Sequence, residues 1–253
     1  MIYRASNIEL NHGFFDSEGG VSAGKYASLN TNVNSRDQAD NVMRNMDIVA
    51  GRFAMQRKNM VSVLQSVSNV AVFFDSPSWL EVKADGMVTT NPDLLLGIKT
   101  ADCAPVLLAD PHNRVIGAAH AGWRGALKGV VENVLSLMLE HGADVHHIAA
   151  AIGPCLQQKS FAAKEDMRQI FMAVDHLNAK YFLPNDVNSY QFDLSGYLED
   201  KINSLGIDNV SRLNLDTYPP ENHFFSYRWH THQNLIQTPL DYPTQYSCIT
   251  LKE

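Results

Sequence analysis

The chain has 253 residues, 45% of them apolar, which is enough to bury a full core. Its formal net charge of -7 and the lack of any basic run argue against a nucleic-acid partner, which would need clustered Lys and Arg to displace counterions. No window approaches the roughly 18 unbroken apolar residues of a membrane span, and the N-terminus carries no signal-like charged start, so the expectation is a cytoplasmic protein that engages no membrane. Three widely spaced cysteines, Cys103, Cys155 and Cys248, suit reduced thiols better than a disulfide framework.

In chain order, residues 12–30 read as a glycine-punctuated loop, with Gly19, Gly20 and Gly24 allowing close backbone approach. Val42, Met43, Met46, Val49 and Phe53 recur at three- and four-residue steps and predict an amphipathic helix over 37–53. Residues 60–74, rich in β-branched side chains and broken by a polar patch at Ser66–Asn69, predict two strands with a short connection. Further strands are expected at 84–89 and 94–99, covered on both faces because they show little polar alternation. Ala104–Ala109 and Val115–Ala119 flank D-P-H-N-R and read as a β-hairpin. Leu127 to Met138 follow with helical spacing, ending at His141 and Gly142, which predicts a helix of about five turns. A strand at 148–152, helices around 167–177 and 194–205, and a last strand at 246–251 complete the reading. It is that of a single domain over 1–253 built from both strands and helices.

The hairpin concentrates the chemistry. Cys103 precedes its first strand and His120 ends its second, so antiparallel pairing brings a thiol and an imidazole to one end of the sheet. Asp102 adjoins the thiol, and Arg124 sits at the mouth of the following helix, where a fixed cation and free N–H groups suit an anion. On these residues alone the pair could be metal ligands, a thiolate–imidazole nucleophile, or two packed core residues.

T-A-D-C-A-P-V-L-L-A-D at 100–110, A-A-H-A-G-W-R-G at 118–125 and A-I-G-P-C at 151–155 resemble the laccase-domain family. The upstream H-G-F-F, G-G-V-S-A-G and S-L-N and the downstream F-F-S-Y-R at 224–228 fall in the same order. This family was first described as multicopper polyphenol oxidase and is now assigned as zinc-dependent purine nucleoside phosphorylase with adenosine deaminase activity. The resemblance implies an α/β (α+β) sandwich of mixed β-sheets covered by helices, a zinc held by two histidines and a cysteine, with Cys103 and His120 as two of the ligands, and a purine nucleoside and phosphate as substrates. One Cys and one matched His are too few for a multicopper centre.

In the mechanism so implied, the metal polarises water or a purine substituent, Asp102 assists proton transfer and Arg124 holds phosphate. Arg228, Ser28 and Asn30 are candidate phosphate or ribose contacts. The chain departs from the family pattern at several places: Val67 stands where the remaining histidine ligand belongs, Asp16–Ser17 replace Thr-Arg, Ala162 replaces an acidic residue, and Pro243–Thr244 replace Gly-Arg. His12 and His223 are the alternative third ligands considered. Two rival functions follow, a metal-independent Cys–His hydrolase acting on an amide or a peptidoglycan precursor, and a non-catalytic binding protein with a degenerate metal site.

Overall fold

The computed structural model of the chain describes residues 1–252. In order they form β1 (Ile2–Tyr3), β2 (His12–Phe15), α1 (Ala39–Gly51), β3 (Met60–Leu64), β4 (Ala71–Phe73), β5 (Trp79–Lys83), β6 (Gly86–Thr89), β7 (Leu95–Thr100), β8 (Ala104–Asp110) and β9 (Val115–Ala121). The chain continues through α2 (Trp123–Lys128), α3 (Val130–Glu140), β10 (Ala149–Ile152), β11 (Ala162–Lys164), α4 (Glu165–Val174), β12 (Phe182–Asp186), β13 (Ser189–Phe192), α5 (Leu194–Ser204), β14 (Asn209–Arg212), α6 (Tyr227–His232) and β15 (Gln245–Thr250). Two six-stranded mixed sheets result, ordered β1-β2-β15-β7-β3-β5 and β14-β10-β8-β9-β6-β4, with a small sheet β11-β13-β12 beside them.

Alternation along the strands explains the layering. Side chains of β8 point to opposite faces in turn: Leu107 and Ala109 join a core shared with Phe14, Val61, Leu96 and Ile98 of the first sheet, while Val106 and Leu108 pack the other way. That second face is covered by Val130, Val131, Val134 and Met138 of α3 and by Leu198 and Ile202 of α5. The outer face of the first sheet, with Met60, Leu95 and Tyr246, is covered by Met46, Val49 and Ala50 of α1. The order is therefore helix, sheet, sheet, helix. Strands apolar on both sides are what such a stack requires, and each large aliphatic side chain buried in it contributes about 1.5–3 kcal/mol.

Several expectations change in the structure. The helix after the hairpin is broken: Gly129, at φ +89°, ends α2 in the left-handed region before α3 begins, so the apolar spacing runs across two axes. Residues 12–15, read as loop, form β2, because the hydrogen bonds of His12–Phe14 complete the edge beside β15. The strands read within 60–74 belong to different sheets, so the polar patch between them is a crossing from one sheet to the other. Strands β5 and β12–β13 were not anticipated. The apolar stripe predicted over 167–177 is only half buried: Met167 and Phe171 join the core, while Ile170, Val174 and Leu177 are exposed.

Candidate active site

The register of the β8–β9 hairpin pairs Ala104 with Ala121 and Pro105 with His120, which brings Cys103 and His120 to the same sheet end. His120 is buried, and its Nδ1 lies 2.7 Å from Oδ1 of Asp85. Asp85 directly precedes β6, the neighbour of β9, and its carbonyl also accepts the His120 N–H at 2.7 Å. Sequence reasoning missed Asp85. Its signal was an isolated acid at the entry of a fully apolar strand, in A-D-G-M-V-T.

Asp85 also organises the crossing loop. Its carboxylate accepts the N–H groups of Ser66, Val67 and Ser68 at 3.1, 3.1 and 2.6 Å, and the Ser68 hydroxyl at 2.6 Å. Burial opposes its charge, but His120 and Ser68 hold its pKa down to about 2. Burial likewise disfavours a charged His120, yet Cys103 and Asp85 outweigh it and push the imidazole up to about 9. The order Cys103, His120, Asp85 is therefore thiol, imidazole, orienting carboxylate. Cys155 and Cys248 are fully buried, and burial pushes both thiols far up, whereas Cys103 is only half buried.

Wrapping Asp85 puts Val67 at φ +58°, a region that β-branched residues rarely adopt. Its side chain remains at the site: a methyl group built on Gly122 would meet Cys103 Sγ at 2.9 Å and Val67 Cγ1 at 3.9 Å. Gly122 is thus the close-approach residue that leaves room for the thiol.

Two adjoining cavities share Ala101, Cys103 and Tyr242. The larger, about 550 Å³, is lined by Asp102, Trp123, Phe161, Tyr227 and Arg228, a size suited to a small organic ligand. The smaller, about 220 Å³, is lined by Gln65, Val67, Lys99, Thr100 and His120 beneath Asn32, Asn34 and Thr244. Two positions that depart from the family pattern, Val67 and Thr244, line this smaller lobe.

The remaining predicted residues fall in different places. Asp102, at φ +90°, is buried and accepts the Thr217 hydroxyl and the Arg228 N–H, each at 2.7 Å; burial pushes its pKa up against the pull of these donors. Arg228 lines the large lobe, with its guanidinium bonded to the carbonyls of Ser160 and Ala162 at 3.3 and 3.1 Å. Arg124 is exposed and lies over the Trp123 ring at 4.0 Å from its centroid. Ser28 and Asn30 line neither lobe. The Ser28 hydroxyl bonds the Ser17 carbonyl, and the Asn30 amide bonds Ser35 and Asp37, so both knit the 17–37 loop.

The donor set does not fit a firmly held zinc. A catalytic zinc takes three protein ligands, and here a thiol and an imidazole face a valine. Among the described residues no group of three His, Cys, Asp or Glu side chains could close on an ion. His12 has both ring nitrogens engaged by main chain, accepting from the Ala5 N–H at 2.9 Å and bonding the Leu10 carbonyl at 2.8 Å. His223 pairs with Glu18 on the surface, and neither histidine lines a lobe. Among the described residues no helix is long and apolar enough to cross a membrane.

Sequence and fold are similar to those of known proteins. A purine nucleoside phosphorylase of Rickettsia prowazekii is 32% identical over 206 residues, spanning 81% of this chain and 82% of that protein. One of Deinococcus radiodurans is 37% identical over 172 residues, 68% of this chain and 67% of its own length. The crystal structure of a hypothetical protein, YfiH, of Bacillus licheniformis superposes with a TM-score of 0.85 at 25% identity, covering 95% of this chain and 92% of that one. Residues 11–235 match the family described as multi-copper polyphenol oxidoreductase laccase, and with the hairpin, its thiol and its imidazole in place, the chain belongs to that family.

Proposed function

We propose that the two-lobed cavity binds a purine nucleoside and inorganic phosphate and cleaves the nucleoside at its glycosidic bond. The observation that carries this reading is the placement of Cys103 where an aromatic lobe of about 550 Å³ meets a smaller one of about 220 Å³ that His120 also lines. Trp123, Phe161, Tyr227 and Tyr242 offer flat surfaces to a base, and relatives bearing the purine nucleoside phosphorylase name support the substrate class. In phosphorolysis a phosphate oxygen forms a bond to C1′ of the ribose while the bond from C1′ to the purine nitrogen breaks. The electron pair passes into the purine ring, which takes up a proton.

Asp102 lines the large lobe and assists that proton transfer. Arg228 lines the same lobe as a phosphate or ribose contact, and Arg124, exposed on the ring of the lobe's Trp123, draws phosphate in. Ser28 and Asn30 act by holding the loop whose Asn32 and Asn34 roof the small lobe. The donor set falls one protein ligand short of a zinc centre, and ammonia release from adenosine tests deamination independently of phosphorolysis. Incubation of purified protein with inosine or adenosine should release free base and ribose 1-phosphate only when phosphate is present. Folded protein that produces neither with any purine nucleoside overturns the reading.

One observation favours a second reading. The Cys103, His120, Asp85 order is that of a thiol nucleophile, its base and an orienting carboxylate, which suits amide or ester hydrolysis without metal. Loss of a measured hydrolysis on alkylation of Cys103, with phosphorolysis absent, decides for it.

A further inference from the structure

The small lobe contains a charge that neither reading uses. Lys99 ends a run of apolar residues in β7 and lines this lobe together with Cys103 and His120. Its main chain is fixed on both sides by Gln65, whose Oε1 accepts the Lys99 N–H at 2.9 Å and whose Nε2 donates to the Lys99 carbonyl at 2.7 Å. The bond pair locks the strand end, and with it the base of the lysine side chain, against the crossing loop that carries Val67. Among the described residues no carboxylate lies within ion-pair distance of the Lys99 ammonium, and no side chain or carbonyl accepts a hydrogen bond from it.

Placing a lysine there is costly in the free protein. Partial burial alone pulls its pKa down to about 8, because the half-buried side chain loses hydration without gaining a partner. A cation kept in a cavity at such a cost is explained by a ligand that neutralises it. The rest of the lobe agrees: Asn32, Asn34 and Gln65 are polar, the Thr100 hydroxyl is buried with no protein partner, and no acid among the described residues lines the cavity. At about 220 Å³ the lobe is smaller than the usual range for small-molecule pockets and has room for a tetrahedral or planar oxyanion.

We propose that the small lobe is an oxyanion subsite in which Lys99 binds a phosphate or carboxylate group next to Cys103. In this chain the cation occupies the lobe whose third metal-ligand position is Val67, so positive charge beside the thiol comes from a side chain rather than from a bound ion. The inference rests on the cavity being the reacting site and not on phosphorolysis itself. Inorganic phosphate and a substrate carboxylate share the required chemistry, and the experiment separates them.

The probe is Cys103, the half-buried cysteine of the three. After chelator treatment, its alkylation is followed by mass spectrometry with anionic iodoacetate and neutral iodoacetamide. The lysine should favour the anionic reagent, so the iodoacetate-to-iodoacetamide rate ratio should fall about fivefold or more in Lys99→Met and be largely kept in Lys99→Arg. Inorganic phosphate should slow the iodoacetate reaction of the native protein if phosphate is the occupant, and acetate should do so better if a carboxylate is. A Lys99→Met protein with a native unfolding transition and an unchanged ratio overturns the proposal. If that variant does not fold, the native protein decides alone, because failure of both phosphate and acetate to protect Cys103 overturns it equally. In a Lys99→Met protein that still performs phosphorolysis, an unchanged KM for phosphate together with an unchanged reagent ratio overturns the subsite and leaves the proposed function standing. A lysine-dependent ratio in a protein without phosphorolysis does the reverse.

Discussion

Val67 stands where the family resemblance expects a third metal ligand. Its backbone is at φ +58° because three consecutive N–H groups wrap the Asp85 carboxylate, and a β-branched side chain in that region costs on the order of 1–3 kcal/mol. Histidine tolerates the conformation better, and its ring would face a thiol and an imidazole already in place. Val67→His should therefore convert a protein that retains little zinc after dialysis into one that retains about one equivalent, measured by elemental analysis, with unfolding raised when zinc is added. Zinc retention equal to that of the native chain would show that the third ligand position lies elsewhere. Asp85 shows the other side of the same point. An acid at the entry of a largely apolar strand was visible in the sequence, but its role as anchor of both His120 and the loop depends on partners 17 to 35 positions away.

At the scale of elements, the site is roofed by two loops that one carboxylate ties together. Asp241, buried, accepts Lys25 Nζ at 2.7 Å and the Arg36 N–H at 3.0 Å, along with the Tyr26 hydroxyl. Burial works against its charge, yet these donors hold its pKa down to about 2. A carboxyl whose pKa is lower in the folded protein adds stability that is present above its ordinary value of about 3.9 and is lost as pH falls towards 2. Asp241→Asn should cost about 1–3 kcal/mol at neutral pH, and the difference from the native protein should narrow steadily from pH 4 to about pH 2 in urea unfolding. A penalty independent of pH would mean the carboxylate's charge is not what holds the loops. The hairpin itself was legible because turn residues and apolar runs are local signals. The break at Gly129 was not, since apolar spacing continues across it and only the left-handed φ shows the change of axis.

For the molecule as a whole, stability is centred between the two sheets. Leu107 lies there with full burial, packed in the core that also holds Phe14, Leu96 and Ile98. Leu107→Ala should cost about 2–5 kcal/mol, and both sheets should melt in one transition by circular dichroism and tryptophan fluorescence. Two separated transitions would show that the sheets fold as independent units. Fold class, the hairpin, and the thiol and imidazole at one sheet end were decided by the sequence itself, because periodicity, turn chemistry and antiparallel register act over neighbouring residues. The tertiary structure alone decided that Asp85 orients His120, that Ser28 and Asn30 serve the loop rather than the cavity, and that Val67 and Lys99 share one lobe with Cys103. Those relations join side chains from strands distant in sequence, and their energies depend on burial and on partners that exist only after the sheets have packed.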